Sequence, residues 1–318
     1  MSRPRNARVE VTVDGHRLTV SNLDKVLYPE SGFTKAGVID YYRRIAPVLL
    51  PHLAGRALTL VRFPDGADQP GFYEKNCPGH RPEWVRTAPF EGRSSGGVVV
   101  HCVAEDVATL VWLANLAALE LHVPMARAAD PDHPTTVVFD LDPGAPATIR
   151  EACRFALALR DLLDGLGLAA FPKTSGKKGV HVYLPLNAGA GPDQRQCQDF
   201  ARAVAELLAK RHADEVTTAM AKAERPGRVF VDWSQNTRHK TTAAPYSLRA
   251  GPSPHVSTPL RWDEVEAVAG GDDAGRIRVS PEGVLARVED GGDLFAPVLD
   301  LVQELPARGT RVPPRPRS

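Results

Sequence analysis

The sequence predicts an α+β fold with mainly antiparallel sheets. Three observations carry this. Short apolar or alternating runs, such as VVFDLDPG, GVHVYLPL and GRVFVDWS, have the composition of strands and are bounded by turn residues. Longer stretches with helical spacing lie between them. The two kinds are mixed without the strand–helix–strand rhythm of a doubly wound parallel sheet.

Residues 8–20 alternate like a hairpin, with Asp14-Gly15 at the turn. Thr34 caps a helix expected to run to about Leu53, kinked near Pro47. ALTLVRFPDG reads as strand and turn, and GGVVVHCVA as another strand. Helical spacing covers 105–120, and an extended LHVPMA follows. The run Thr136-Val137-Val138-Phe139 is a buried strand leading into Asp140 and Asp142. A helix covers 146–166 and ends near Gly165. Strand, loop and strand follow in AAFPKTSGKKGVHVYLPL. A helix at 193–213 precedes a second at 214–223. GRVFVDWS and APYSLRA are strands, and the chain beyond about 262 is helical, including LFAPVLDLVQEL.

The 318 residues are 43% hydrophobic, enough for a sizeable core. No apolar run is long enough to span a membrane, and the basic first residues lack the apolar stretch of a secretory signal. A cytoplasmic protein with no membrane partner is expected. Cys77, Cys102, Cys153 and Cys197 are widely scattered, which fits reduced thiols better than a disulfide framework. Cys77 and His80 have a metal-like spacing, but no second pair completes a zinc site. Net charge is only +1, so no global charge announces a nucleic-acid partner. Cations are bunched locally, at Lys173–Lys178, at Arg225–Arg249 and in the proline-rich tail ARGTRVPPRPRS.

Side chains alternate faces along a strand, so Asp140 and Asp142 point the same way. Two like charges side by side need a positive partner. Asp232 is a third acid deep in a strand, where unpaired carboxylates are rare. Together these three suit one or two Mg²⁺ or Mn²⁺ ions, the arrangement used in nucleotidyl transfer. For Asp140 and Asp142 alone, pairing with Arg225 or Arg228 is an equal alternative; the third acid and the basic neighbours favour metal. TSGKKGVHVY places Ser175, Lys178 and His181 around a glycine-rich loop that can approach an anion, although taken alone the stretch fits a solvated basic hairpin with a core histidine better. It is not a Walker A loop, because a strand follows it. Gln235, Lys240 and Arg249 come soon after Asp232. Lys25 and Lys35 flank a turn, the second at a helix start suited to a phosphate. Phe72 and Tyr73 are adjacent aromatics in a loop, able to stack on bases or, equally, to act as a local hydrophobic anchor.

These motifs occur together in one order, and the chain resembles the polymerase domain of bacterial ATP-dependent DNA ligase D, a member of the archaeo-eukaryotic primase superfamily. The resemblance spans roughly 18–290 through LDKVLYP, DQPGFYEKN, LELHVP, VVFDLDPG, TSGKKGVHVY, VFVDWSQN, KTTAAPYSLRA and STPLRWDEV. It implies a primase-like core related to RNA-recognition domains. It implies gap filling and 3′-end extension at DNA breaks in non-homologous end joining, with a preference for ribonucleotides and manganese. The implied partners are gapped or broken duplex DNA with a 5′-phosphate, an NTP or dNTP, the end-binding protein Ku and an ATP-dependent ligase.

Carried over by motif, Asp140, Asp142 and Asp232 are the catalytic metal ligands for two Mn²⁺ or Mg²⁺ ions. Ser175, Lys178, His181, Arg225, Gln235 and Arg249 contact the nucleotide, and His122 lies near its sugar. Lys25 and Lys35 grip the 5′-phosphate, and Phe72 and Tyr73 stack at the template. One departure is Val61, where some relatives carry lysine beside the arginine of LVRF. The implied organisation is one domain over 1–300: a DNA-end-binding part at about 8–130, a catalytic core at about 131–260 and a helical end at about 261–304. A basic tail occupies 305–318. No K-x-D-G motif of a ligase and no length for a nuclease are present, so a stand-alone polymerase or an excised domain is expected. Competing readings are a non-catalytic end-bridging factor, a de novo primase and a metal-dependent phosphoesterase.

Overall fold

The computed structural model describes residues 8–91, 97–189 and 191–307. The tail beyond 307 lies outside the described residues. The chain forms two compact units, each built from three segments: 1–129, 241–257 and 279–293 in unit 1, and 130–240, 258–278 and 294–318 in unit 2. The segment 241–257, grouped with the catalytic core on sequence, thus belongs to unit 1, and 294–304 belongs to unit 2.

Unit 2 is organised by a five-stranded sheet in the order Phe171–Thr174, Val180–Pro185, Thr136–Pro143, Val229–Asp232, Val216–Thr217. All neighbours are antiparallel except the last pair. Alternation sorts its residues cleanly. Val137, Phe139, Leu141, Val180, Val182, Leu184, Val229 and Val231 enter the core, packed with the helices Ile149–Asp164 and Gln194–Arg211. Both helices start at a capping box, Thr148 with Glu151 and Asp193 with Gln196, which satisfies otherwise orphaned N–H groups. The other face of the sheet is left for Asp140, Asp142, His181 and Asp232.

Unit 1 contains a four-stranded antiparallel sheet, Thr242–Ala243, Ala118–Val123, Thr59–Arg62, Phe72–Glu74. Its core also takes in the helices Lys35–Leu53 and Val107–Asn115 and the hairpin Arg8–Val13 with His16–Ser21. Thr34 caps the first helix through Gly37 N, and that helix runs unbroken to Leu53 with Pro47 and Pro51 inside it.

Several expectations are corrected. The helix expected over 105–120 stops at Asn115, because Ala117 adopts φ +56° and Ala118–Val123 is taken as a sheet strand. No helix forms at 214–223; Val216–Thr217 pairs with Val229–Phe230, and only a short 3₁₀ turn, Lys222–Glu224, follows. APYSLRA contributes only Leu248–Arg249 as strand. LFAPVLDLVQEL contains a single helical turn, Pro297–Asp300. The scattered cysteines are not all free: Cys77 and Cys102 form a disulfide, which also removes Cys77 from any zinc site. Cys153 and Cys197 are buried thiols, pushed up to about 12 by burial. Among the described residues no helix is long and apolar enough to cross a membrane.

Candidate active site

The acidic centre of unit 2 follows from strand register. Asp140 stands directly opposite Asp232, and Asp142 opposite Phe230. Directly opposed like charges repel unless something between them is positive or donates hydrogen bonds. Gln235 Nε2 bridges the pair, donating to Asp232 Oδ2 at 3.1 Å and Asp140 Oδ2 at 3.5 Å. Asp232 Oδ1 accepts from Ser234 N at 2.9 Å and Ser234 Oγ at 2.5 Å. Lys240 Nζ lies 3.6 Å from Asp232 Oδ2 and donates to Ser234 Oγ. His181 Nε2 is 3.3 Å from Asp140 Oδ1. Lys178 Nζ is 3.1 Å from Asp142 Oδ1 and donates to Pro143 O at 3.0 Å. The turn holding Gln235 is anchored by Asn236, fully buried, whose amide both accepts from Val138 N (2.8 Å) and donates to Val138 O (2.7 Å).

The positive groups the acids demand are therefore Lys178 and Lys240, and His181 and Gln235 serve Asp140 as hydrogen-bond donors. Arg225, the alternative partner, instead lies over the Phe230 ring at 3.6 Å from its centroid and donates to Met220 O at 2.8 Å. Its charge still acts on Asp142. Burial holds the Asp142 carboxyl above the usual range; Asp140 adds to this, and Lys178 and Arg225 offset part of it.

The loop before Val180–Pro185 is shaped for an anion. Ser175 Oγ accepts from Lys177 N (3.2 Å) and Gly179 N (3.1 Å), which leaves its hydroxyl proton for a ligand. Gly176 has φ +72°, and a Cβ on Gly179 would lie 2.4 Å from Leu141 O. Lys173, not singled out on sequence as a site residue, is completely buried opposite His181. Its Nζ donates to His181 Nδ1 at 3.0 Å, which places the ring proton on Nε2, toward Asp140.

Among the described residues no three His, Cys, Asp or Glu side chains form a ready-made metal site. The donor chemistry nonetheless fits a hard divalent cation. Three carboxylates occupy neighbouring strand ends, and their present counter-charges, Lys178 and Lys240, are lysine ammonium groups that a cation can replace.

Unit 1 holds the remaining expected residues in three groups. In the first, His122 Nε2 donates to Glu120 Oε2 at 2.8 Å, and Arg249 Nε lies 3.4 Å from the same oxygen. Glu120 and His122 are both buried. In the second, Lys35 N donates to Lys25 O at 2.8 Å, tying the two lysines together at the helix start. Lys25 Nζ donates to Pro64 O at 2.5 Å and lies 3.8 Å from Asp65. Lys35 is 6% exposed, and no ion pair is formed by it among the described residues. Burial, with Lys25 and then Arg62, lowers its ammonium from 10.5 to about 8.

Phe72 and Tyr73 lie in an edge strand rather than a loop, so they point to opposite faces. The Arg62 guanidinium sits over Phe72, 5.3 Å from its centroid, while Tyr73 meets His122 edge-on at 6.1 Å. Both aromatics are exposed, 44% and 69%. Val61 sits between Tyr73 and Glu120 as the cross-strand partner of each.

The comparisons agree with one another. The family model for the LigD primase-polymerase domain matches residues 34–295. The multifunctional non-homologous end joining DNA repair protein LigD of Mycobacterium tuberculosis is 41% identical over 298 residues, covering 89% of this chain and 38% of that protein. The bifunctional non-homologous end joining protein LigD of Bacillus subtilis is 33% identical over 251 residues, covering 79% of this chain and 40% of that protein. The chain thus spans about two fifths of these relatives' length. The solved polymerase domain from Mycobacterium tuberculosis ligase D in complex with DNA matches with a TM-score of 0.81 at 40% identity, over 89% of this chain and 98% of that one. On the extent of these matches, the chain belongs to the LigD primase-polymerase domain family.

Proposed function

We propose that the chain is a template-directed nucleotidyltransferase that fills gaps and extends 3′ ends at DNA breaks in non-homologous end joining. The observation that carries this reading is the direct opposition of Asp140 and Asp232, with Asp142 two residues on along the same sheet face. Such a face is costly to build unless cations use it. Two divalent ions, Mn²⁺ or Mg²⁺, held by Asp140, Asp142 and Asp232 would lower the charge on the α-phosphate and favour attack by a primer 3′-hydroxyl.

The chain's own residues do the positioning. Ser175, Lys178 and the Nε2 proton of His181 provide donors for the triphosphate, with Arg225 and Gln235 beside them. His122 and Arg249 of unit 1 are nucleotide contacts in this reading, His122 on the sugar side. Lys25 and Lys35 bind the 5′-phosphate across a gap, and Phe72 and Tyr73 stack on template bases. Ribonucleotide preference and partnership with Ku and a ligase belong to this reading. A de novo primase has no evident use for a lysine pair suited to a 5′-phosphate, and a phosphoesterase has none for the Ser175 loop.

The test is primer extension on a short-gapped duplex with a 5′-phosphate, using ribo- or deoxyribonucleotides with Mn²⁺ or Mg²⁺. Extension by the wild type and none by Asp140→Ala is the expected result. Tight DNA binding without extension under either metal would replace the reading with an end-bridging factor.

A further inference from the structure

Glu120 is a carboxylate in a strand whose six residues are all buried. It is 2% exposed. A carboxylate in such a place is unfavourable unless paired and hydrogen-bonded. Each of its oxygens is occupied. Oε1 accepts from Ala250 N at 3.1 Å. Oε2 accepts from His122 Nε2 at 2.8 Å and faces Arg249 Nε at 3.4 Å. One acid thus joins two residues far apart in the chain, and the backbone contact at Ala250 fixes the segment that carries Arg249.

The geometry is more specific than a core ion pair requires. The Arg249 Nε is buried and makes no hydrogen bond, so its guanidinium is drawn toward Glu120 by charge without being saturated. The Oγ1 of Thr59, the cross-strand partner of His122, is also buried without a hydrogen bond. Buried donors left in this condition are rare in folded proteins and point to a polar ligand on this face. His122 is bound to Glu120 through Nε2, which fixes the ring's orientation and directs its other edge away from the carboxylate.

We infer that Glu120 is a positioning residue for nucleotide binding, holding His122 and Arg249 in one array so that both meet the same ligand. This rests on the reading of His122 and Arg249 as nucleotide contacts. Glu120, 2% exposed, acts through these two side chains. Its negative charge keeps Arg249 from turning to other acceptors.

Single-nucleotide insertion by the full chain, with KM and kcat measured separately, tests it. Glu120→Gln keeps size and the acceptor for Ala250 N but loses the charge. It is expected to raise the nucleotide KM about tenfold, with kcat changed much less. Glu120→Asp is expected to recover part of the loss. His122→Ala and Arg249→Ala are each expected to raise the same KM, and the Glu120→Gln/His122→Ala pair to add less than the product of the singles. If His122→Ala and Arg249→Ala raise KM but Glu120→Gln does not, the positioning role is overturned and the nucleotide contacts stand. If neither of the first two moves KM, the contacts themselves fail, and the inference with them. If Glu120→Gln melts below the assay temperature, Glu120→Asp decides: a raised KM with kcat retained supports the role, and an unchanged KM overturns it.

Discussion

The two units solve opposite electrostatic problems in opposite ways. Unit 2 gathers acids and neutralises them beforehand: Asp140, Asp142 and Asp232 each have a cation or an amide within reach. Unit 1 gathers cations and leaves one of them uncompensated. Lys25 has Asp65 and Arg62 has Glu74, but buried Lys35 has only cations as charged neighbours acting on its ammonium. The lesson is that counter-charge on a flexible side chain suits a site that exchanges one cation for another. An unpaired buried ammonium suits a site where the ligand itself is the missing anion.

Asp232→Asn removes a charge that nothing else supplies, and extension on a gapped duplex should fall by about 10³-fold. A loss below tenfold would deny the acids a catalytic use. The next effect is on stability and separates the units by redox state. Only unit 1 carries the Cys77–Cys102 disulfide, which closes a loop of 25 residues. Cys77→Ser or a reductant should destabilise it by about 3 kcal/mol. Thermal melts with and without reductant check this; the buried thiols Cys153 and Cys197 should not react in the native protein.

Smaller effects follow from Lys35. Lys35→Met should cut the advantage of a 5′-phosphate by about tenfold, so that rates on gaps with and without the phosphate converge. Titration gives the sign independently. The Lys35 ammonium is lowered from 10.5 to about 8, so its charged form is disfavoured in the fold. Below pH 8 the charge is present and the penalty is complete. Between pH 8 and 10.5 the folded state sheds the proton first, and this penalty fades. Affinity for the 5′-phosphate should therefore decline above pH 8 while that strain is relieved, and Lys35→Met should flatten the decline. Binding of phosphorylated and unphosphorylated ends across this range measures it.

The acidic centre was legible because strand alternation is a strong rule: Asp140 and Asp142 had to share a face, and an acid inside VFVD had to be paired. The same rule applied to ALELHV points to Glu120, although a single acid in an apolar run also resembles a strand edge. Lys173 had no such signal, since a lysine beside a basic loop reads as solvated. The Cys77–Cys102 bond was hidden by separation without pattern. Phe72 and Tyr73 were visible as aromatics, but their division between two faces appeared only once the edge strand was seen. The overestimated helices, at 105–120 and 214–223, were cases in which sheet pairing overrode local preference.

The chain passes between the units at 129/130, 240/241, 257/258, 278/279 and 293/294. Neither unit is a continuous stretch, so neither can be completed early during synthesis. Unit 1 gains its last core residues only when Val284 and Leu285 leave the ribosome, long after its first strands. Folding must then wait on contacts of large sequence separation, which form slowly and leave partly built sheets exposed. A truncation anywhere between 130 and 293 removes material from both units, so connectivity couples their stabilities.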